Sequence, residues 1–176
     1  MREVTTATAP SPIERIFEET HSLVFRTAYR VTGNAADAED VLQQVFLRLI
    51  RRGNNAEPLD NQESYLRRAA INLSLDTIRN RHEARNVPID EAPPLPSHQD
   101  QNQSELQDSL RRALATLSGR AAEVFALRYF EGYKNQEIAK MIGISQVQVA
   151  VLLFRTRKQL QKEISSPKTA KSGARL

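Results

Sequence analysis

The sequence predicts an all-α protein with two small helical domains joined by a flexible, proline-rich linker. Apolar residues recur at three- and four-residue steps through most of the chain, which is the spacing of amphipathic helices. The 176 residues include only 6 glycines and 6% aromatic residues, a composition that disfavours a β-sandwich. Between the two helical halves, residues 86–104 are polar and proline-rich, and they lack this periodicity.

The overall composition excludes several classes of protein. With 40% hydrophobic and 26% charged residues, the chain resembles a globular protein rather than a wholly disordered one. It has no apolar run near the roughly 20 residues that cross a bilayer, and residues 1–12, which we expect to be disordered, lack a signal-peptide core. Zero cysteines exclude disulfides and thiolate zinc sites. We therefore expect a cytoplasmic protein without membrane insertion, and the net charge of +4 weakly favours a polyanionic partner.

The first domain, residues 13–85, is predicted to contain three long helices. The first helix runs from Ile13 to Val31, and Asn34 then caps the second helix. Residues 53–62 combine glycine, asparagine and proline without periodicity, so they predict a loop. The third helix follows from Ser64 to about Arg85. The apolar faces of these three helices can close a single core.

The linker and the basic tail, residues 165–176, differ in charge. Linker residues 86–104 contain acidic side chains but no lysine or arginine, whereas the second domain and the tail are net basic. The residue types and spacing of Ser104 and Gln107 indicate a capping box that opens the second domain. We expect the linker to be extended and the tail to be frayed.

The second domain, residues 105–164, contains the pattern of a helix-turn-helix at residues 136–149. Gly143 can adopt the positive φ that ends one helix, and Ser145 with Gln148 can form the capping box that starts the next. The second helix of such a motif usually enters the DNA major groove. Its inner face is predicted to carry Val149, Leu153, Leu160 and Ile164. An αα-corner without a DNA-binding role is the alternative.

Four stretches of the sequence, in this order and at this spacing, resemble the extracytoplasmic-function (ECF) sigma factors of bacterial RNA polymerase. They are residues 32–47, 64–76, 127–132 and 137–145. The resemblance implies a protein that directs core polymerase to −35 and −10 promoter elements and assists −10 melting. The implied partners are promoter DNA, the β′ clamp helices and β flap of the polymerase, and an anti-sigma factor. Catalysis stays with the polymerase, and we expect no cofactor and no metal site in this chain.

In the family, the second helix docks on the β′ clamp helices. Its outward face here includes Asp40, Gln43 and Gln44, which the resemblance implies are polymerase-binding residues. Gln44 replaces a glutamate that is common in the family, which weakens any pairing with a basic polymerase residue. On the residues alone, a solvated surface explains this face equally well.

The family's third helix and the loop before it hold the −10 element, where one unstacked base is captured. The resemblance and the residue chemistry assign four −10 DNA-binding residues: Tyr65, Arg68, Asn72 and Arg79. Guanidinium groups bind phosphates, an asparagine amide can read a base edge, and an aromatic ring can stack on a base. Tyr65 stands where the family often has tryptophan, and half-buried helix packing is the alternative for it.

The second helix of the helix-turn-helix carries the residues predicted to bind the −35 element. We expect Gln146 and Gln148 to read adenines and three cations to hold phosphates: Arg155, Arg157 and Lys158. Ala150 and Leu152 stand where the family often has lysine and arginine, so this helix departs most from the family pattern.

The same helix carries a second apolar stripe, Val147, Val151 and Phe154, at helical spacing. Three interpretations stay open: contact with thymine methyl groups, docking of a partner such as an anti-sigma factor, or packing against the preceding helix of its own domain. Two rival functions also stay open. One is a stand-alone helix-turn-helix regulator of duplex DNA, and the other is a protein-interaction adaptor that has lost DNA contact.

Overall fold

A computed structural model describes residues 11–52, 61–85 and 101–165, and these residues form seven α-helices and no strand. The helices are α1 (Pro12–Thr32), α2 (Ala35–Arg52), α3 (Gln62–Arg85), α4 (Gln101–Ala115), α5 (Gly119–Tyr129), α6 (Asn135–Ile142) and α7 (Gln146–Ser165). The all-α prediction is confirmed. Most of the predicted disordered N-terminus, loop, linker and basic tail lies outside the described residues, at 1–10, 53–60, 86–100 and 166–176. The predicted bounds of the N-terminus and tail are wrong by one or two residues, because Ser11 and Pro12 cap and begin α1 and Ser165 ends α7.

Helix α1 begins with a capping box that the sequence analysis missed. The Ser11 N–H donates to Glu14 Oε2 at 2.6 Å, and the Glu14 N–H donates to Ser11 Oγ at 3.3 Å. The helix ends at Gly33, whose φ of 65° is left-handed and whose N–H donates to the Tyr29 carbonyl. The capping box at Ser11 and the left-handed Gly33 therefore set the two ends of α1.

Asparagine side chains cap the next two helices. The Asp37 N–H donates to Asn34 Oδ1 at 3.1 Å, which confirms the predicted cap of α2. The Ser64 N–H donates to Asn61 Oδ1 at 2.8 Å, so α3 begins two residues before the predicted start at Ser64. The early start follows from Asn61, because its amide oxygen satisfies a first-turn N–H that otherwise lacks a partner.

The core of the first compact unit lies between α1, α2 and the N-terminal half of α3. Its fully or nearly fully buried side chains are Val24, Ala28, Ala38, Val41, Val45, Phe46, Leu66, Ala70 and Leu73. The Phe17 and Phe46 rings meet edge to face, with their centroids 4.8 Å apart. Full burial of each large aliphatic or aromatic side chain stabilises the fold by about 1.5–3 kcal/mol. This core was predicted as the inner stripes of the three helices.

Helix α3 is buried on two sides rather than one. Leu66, Ala70 and Leu73 face the core of the first unit, as predicted. Ile71 and Leu75 are also fully buried, although they lie outside the single apolar stripe predicted for this helix. The boundary between the two compact units falls inside this helix, between Ser74 and Leu75. The exposed polar surface of α3 is therefore narrower than the sequence predicted.

The second compact unit contains α4 to α7. The sequence placed the end of the linker at residue 104, but α4 begins at Gln101 and runs through Ser104, so that boundary and the proposed cap at Ser104 are wrong. Residues 101–103 contain neither proline nor glycine, and extending an existing helix is far easier than nucleating one. Among the described residues no single helix is long and apolar enough to cross a membrane; α6 and α7 reach that length together only across a bend of 107°.

Candidate nucleic-acid interface

The turn between α6 and α7 has the geometry that the sequence predicted. Gly143 has a φ of 71°, and its N–H donates to the Ala139 carbonyl at 3.0 Å. The Ser145 N–H donates to Gln148 Oε1 at 2.9 Å, and the Gln148 N–H donates to Ser145 Oγ at 3.2 Å. The two helices meet at 107°, within the range of a DNA-binding helix-turn-helix.

One side of α7 is buried in its own domain. Val149, Leu153 and Leu160 are buried as predicted. Thr156, which the sequence analysis left out, is buried between them, because it completes the same helical row. Ile164 was predicted to face inward but is exposed, as is Glu163 before it. The packed part of α7 therefore ends at about Leu160.

All five predicted −35 residues lie on exposed positions of α7. They are Gln146, Gln148, Arg155, Arg157 and Lys158. The capping box occupies the Oε1 atom of Gln148, so this amide is already partly engaged at the start of the helix. The three cations lie about two to three turns further along the helix, where they can contact phosphates.

The apolar stripe on α7 is exposed. Val147, Val151 and Phe154 have exposed fractions of 72%, 42% and 54%. The interpretation that this stripe packs against its own domain is therefore wrong. The Lys158 Nζ atom lies 4.8 Å from the centroid of the Phe154 ring, in the geometry of a cation–π contact. Contact with DNA and contact with another protein are the interpretations that stay open.

The predicted −10 residues on α3 are half-buried rather than fully exposed. Tyr65 packs against the core of the first unit, and the Arg52 guanidinium carbon lies 5.5 Å from the centroid of its ring. Arg68 and Asn72 are also half-buried, and both have interactions with other protein groups. Their assignment to DNA stays a prediction.

Arg79 is engaged by two partners within the second compact unit. Its Nη1 atom donates to Asp76 Oδ1 at 3.1 Å, in an ion pair one turn apart on α3. Its Nη2 atom donates to the Leu117 carbonyl at 3.5 Å, a long bond that satisfies a carbonyl just beyond the end of α4. Binding a phosphate would require this guanidinium to exchange these partners.

The exposed face of α2 contains two apolar residues, Leu47 and Ile50, next to the predicted polymerase-binding residues. Asp40, Gln43 and Gln44 are exposed and share one helix face. Leu47, one turn further along the same face, is exposed as well. Leu47 was not predicted as part of this face. Its spacing of three residues from Gln44 and four from Gln43 was a signal that could have identified it. Among the described residues, no cluster of three or more His, Cys, Asp or Glu side chains could hold a metal ion.

Two family comparisons match the two helical regions in chain order. The sequence model of sigma-70 region 2 matches residues 16–83, and that of sigma-70 region 4 matches residues 107–160. The chain belongs to the sigma-70 family of sigma factors. Region 2 of this sigma factor thus spans most of α1 to α3, and region 4 spans most of α4 to α7.

Curated relatives agree with this family. The chain is 32% identical over 160 residues to the ECF RNA polymerase sigma factor SigE of Mycolicibacterium smegmatis, covering 85% of this chain and 61% of that protein. It is 28% identical over 141 residues to the RNA polymerase sigma-E factor of Streptomyces coelicolor, covering 80% of this chain and 79% of that protein. The chain therefore spans less than two thirds of the Mycolicibacterium relative.

Solved structures agree with the fold. The sigma factor RpoE of Bartonella quintana, crystallised with the anti-sigma factor NepR, has a TM-score of 0.52 and 19% identity, with 85% of this chain and 94% of that chain covered. CnrH, crystallised with the cytosolic domain of CnrY, has a TM-score of 0.50 and 19% identity, with 85% of each chain covered. At this level of identity the likeness shows a shared helical fold.

Proposed function

We propose that this ECF sigma factor binds bacterial core RNA polymerase, directs it to promoters with −35 and −10 elements, and assists melting of the −10 region. It carries out no catalysis itself, because RNA synthesis belongs to the polymerase. Its place of action is the cytoplasm, where polymerase and promoter DNA are found. The observation that carries the proposal is the ordered match to sigma-70 regions 2 and 4 on a helical chain.

The surface of α7 supports the −35 role. From Gln146 to Lys158 the helix contains three cations and no acidic residue. Arg155, Arg157 and Lys158 are all exposed, so each can approach a phosphate without unfolding any packed group. Phosphate contacts of this kind give affinity and orientation, while base contacts from the start of the helix give specificity.

The surroundings of Tyr65 support the −10 role. Removing one base from the duplex stack costs a few kcal/mol, and stacking on an aromatic ring returns about 1–3 kcal/mol. The half-buried Tyr65 ring is anchored in the core, so it provides a rigid platform for such a base. The Arg52 guanidinium carbon lies over this ring, 5.5 Å from its centroid, so a base that stacks on Tyr65 would have to displace Arg52 or stack beside it.

The outward face of α2 supports contact with the polymerase. Exposed apolar residues beside polar ones are typical of a protein interface, which combines apolar and polar area. On α2, the exposed Leu47 and Ile50 provide the apolar area, and Asp40, Gln43 and Gln44 provide the polar area on the N-terminal side of Leu47. An anti-sigma factor is a further proposed partner, since RpoE of Bartonella quintana was crystallised with one.

Run-off transcription tests the proposal directly. Purified chain and bacterial core polymerase are mixed with fragments of the source genome, and promoter-specific transcripts are expected only when both proteins are present. A stand-alone regulator would instead bind specific duplex DNA in a gel shift without polymerase. An adaptor would bind a protein partner and fail both assays. Failure of the chain to co-elute with core polymerase would overturn the proposal.

A further inference from the structure

The centre of the outward face of α7 is apolar near its start and cationic further along. Successive residues of a helix are rotated by about 100°, so residues spaced by three or four positions share a face. The buried row is Val149, Leu153, Thr156 and Leu160. The row on the opposite side is Val147, Val151, Phe154 and Lys158, and all four side chains are exposed. This second row points directly away from the domain.

The amides predicted to read bases are not at the centre of this face. Gln146 and Gln148 flank Val147 in the sequence, so each is rotated about 100° away from it on the helix. The Oε1 atom of Gln148 also accepts the Ser145 N–H at 2.9 Å. When the outward face of α7 meets a groove, the first side chain on its midline is therefore Val147.

The charges around the stripe favour DNA over an apolar protein surface. Arg155 and Arg157 are exposed on either side of the row, and no acidic residue lies between Gln146 and Lys158. The Lys158 Nζ atom covers the Phe154 ring at 4.8 Å, so an apolar partner on this face would have to desolvate an ammonium group. A phosphate at the edge of the major groove would instead neutralise that charge.

We propose that Val147 and Val151 read thymine methyl groups in the −35 element, and that Phe154 positions Lys158 for a phosphate. This inference rests on the proposed function. The C5 methyl of thymine is the one apolar feature that the base pairs present in the major groove, and residues at the start of a recognition helix reach the base edges. A −35 element of this sigma factor therefore contains thymines opposite the first two turns of α7.

The test removes the methyl groups from the DNA. Wild-type holoenzyme and a promoter found by run-off transcription are used, and the promoter is resynthesised with deoxyuridine replacing thymidine only upstream of the −10 element. Loss of one buried methyl contact is worth ~0.8 kcal/mol, or about four-fold in affinity. We expect the deoxyuridine promoter to bind wild-type holoenzyme about four-fold more weakly for each contacted thymine.

Protein variants then identify which side chains detect the methyl groups. Val147→Ala and Val151→Ala should weaken binding to the thymidine promoter and show a reduced or absent further loss on the deoxyuridine promoter. Gln159→Ala, an exposed substitution on the same helix, is the matched control and should retain the full wild-type difference. Lys158→Ala should weaken binding to both promoters equally and lower the salt dependence.

The possible failures are distinguishable. If wild-type chain and core polymerase give no promoter-specific transcript, the proposed function falls and this inference falls with it. If transcripts form but both promoters bind equally, the inference alone is overturned. The inference is also overturned if Val147→Ala and Val151→Ala lose as much affinity as the wild type does when deoxyuridine replaces thymidine in the promoter. If these variants leave promoter binding unchanged, the stripe serves a protein partner instead.

Discussion

Helices α3 and α7 are the two elements proposed to contact promoter DNA, and they are packed in different ways. Helix α7 buries one side and exposes the other, so its cations and its apolar stripe are accessible in the free protein. Helix α3 is buried on two sides, and its predicted −10 residues are half-buried with intramolecular partners. DNA can therefore contact α7 without rearrangement of the free protein. Contact at α3 requires its side chains to exchange intramolecular partners for DNA.

The largest expected effect tests the difference in burial itself. Leu66→Ala on α3 empties a fully buried site and should lower the free energy of unfolding by about 2–5 kcal/mol. Val147→Ala on α7 removes an exposed side chain and should change it by no more than about 0.5 kcal/mol. Urea unfolding followed by circular dichroism measures both. Similar losses from the two variants would mean that the stripe on α7 is packed.

The next prediction concerns the partner exchange at Arg79. Arg79→Ala or Asn72→Ala should lower open-complex formation by roughly 10- to 150-fold, because a hydrogen bond to a charged group is worth about 1.5–3 kcal/mol. Polymerase binding should be nearly unchanged. Asp76→Ala, which removes one of the present partners of Arg79, should preserve or slightly increase opening. Equal losses of polymerase affinity and opening would show that this face of α3 contacts polymerase instead.

Tyr65 provides a narrower test of the same helix. Tyr65→Ala should weaken the open complex by about 1–3 kcal/mol through lost base stacking, while Tyr65→Phe should retain most of it. Fluorescence of 2-aminopurine at successive −10 positions reports the unstacked base. Duplex binding through α7 should not change in either variant. The stacking assignment is wrong if phenylalanine is as damaging as alanine.

The smallest effects are expected at the two helix starts. Ser145→Ala removes the cap of α7 and Asn61→Ala removes the cap of α3, and each should destabilise its first turn by about 0.5–2 kcal/mol. Ser145→Ala should lower affinity for −35 duplex, and Asn61→Ala should lower −10 opening. Separate measurements of the two steps with holoenzyme check this separation. A cap variant that impairs both steps equally would argue against independent roles for the two helices.

Three local motifs were predicted correctly from the sequence, whereas the caps at Ser11 and Asn61 were missed and the predicted cap at Ser104 is wrong. The turn at Gly143, the box of Ser145 with Gln148 and the cap at Asn34 each depend on residues only a few positions apart. Their geometry is therefore encoded within a few consecutive residues. The same locality explains why the order of helices and the helix-turn-helix were predicted correctly.

Features that depend on distant residues were harder to predict. The burial of Ile71 and Leu75 reflects a second packed side of α3 that periodicity within that helix does not reveal. The bond from Arg79 to the Leu117 carbonyl joins residues far apart in sequence. Surfaces that a partner contacts depend on such packing between residues distant in sequence.

The turn at Gly143 also has a consequence for protein chemistry. A Cβ atom added there would meet no other atom within 4 Å, yet the backbone has a φ of 71°. The restriction is therefore one of chirality and not of volume, and an L-residue costs about 1–2 kcal/mol in this conformation. A D-alanine introduced by peptide ligation has the opposite preference. It would make the unfolded chain less flexible and fix the angle between the two helices more firmly than glycine does.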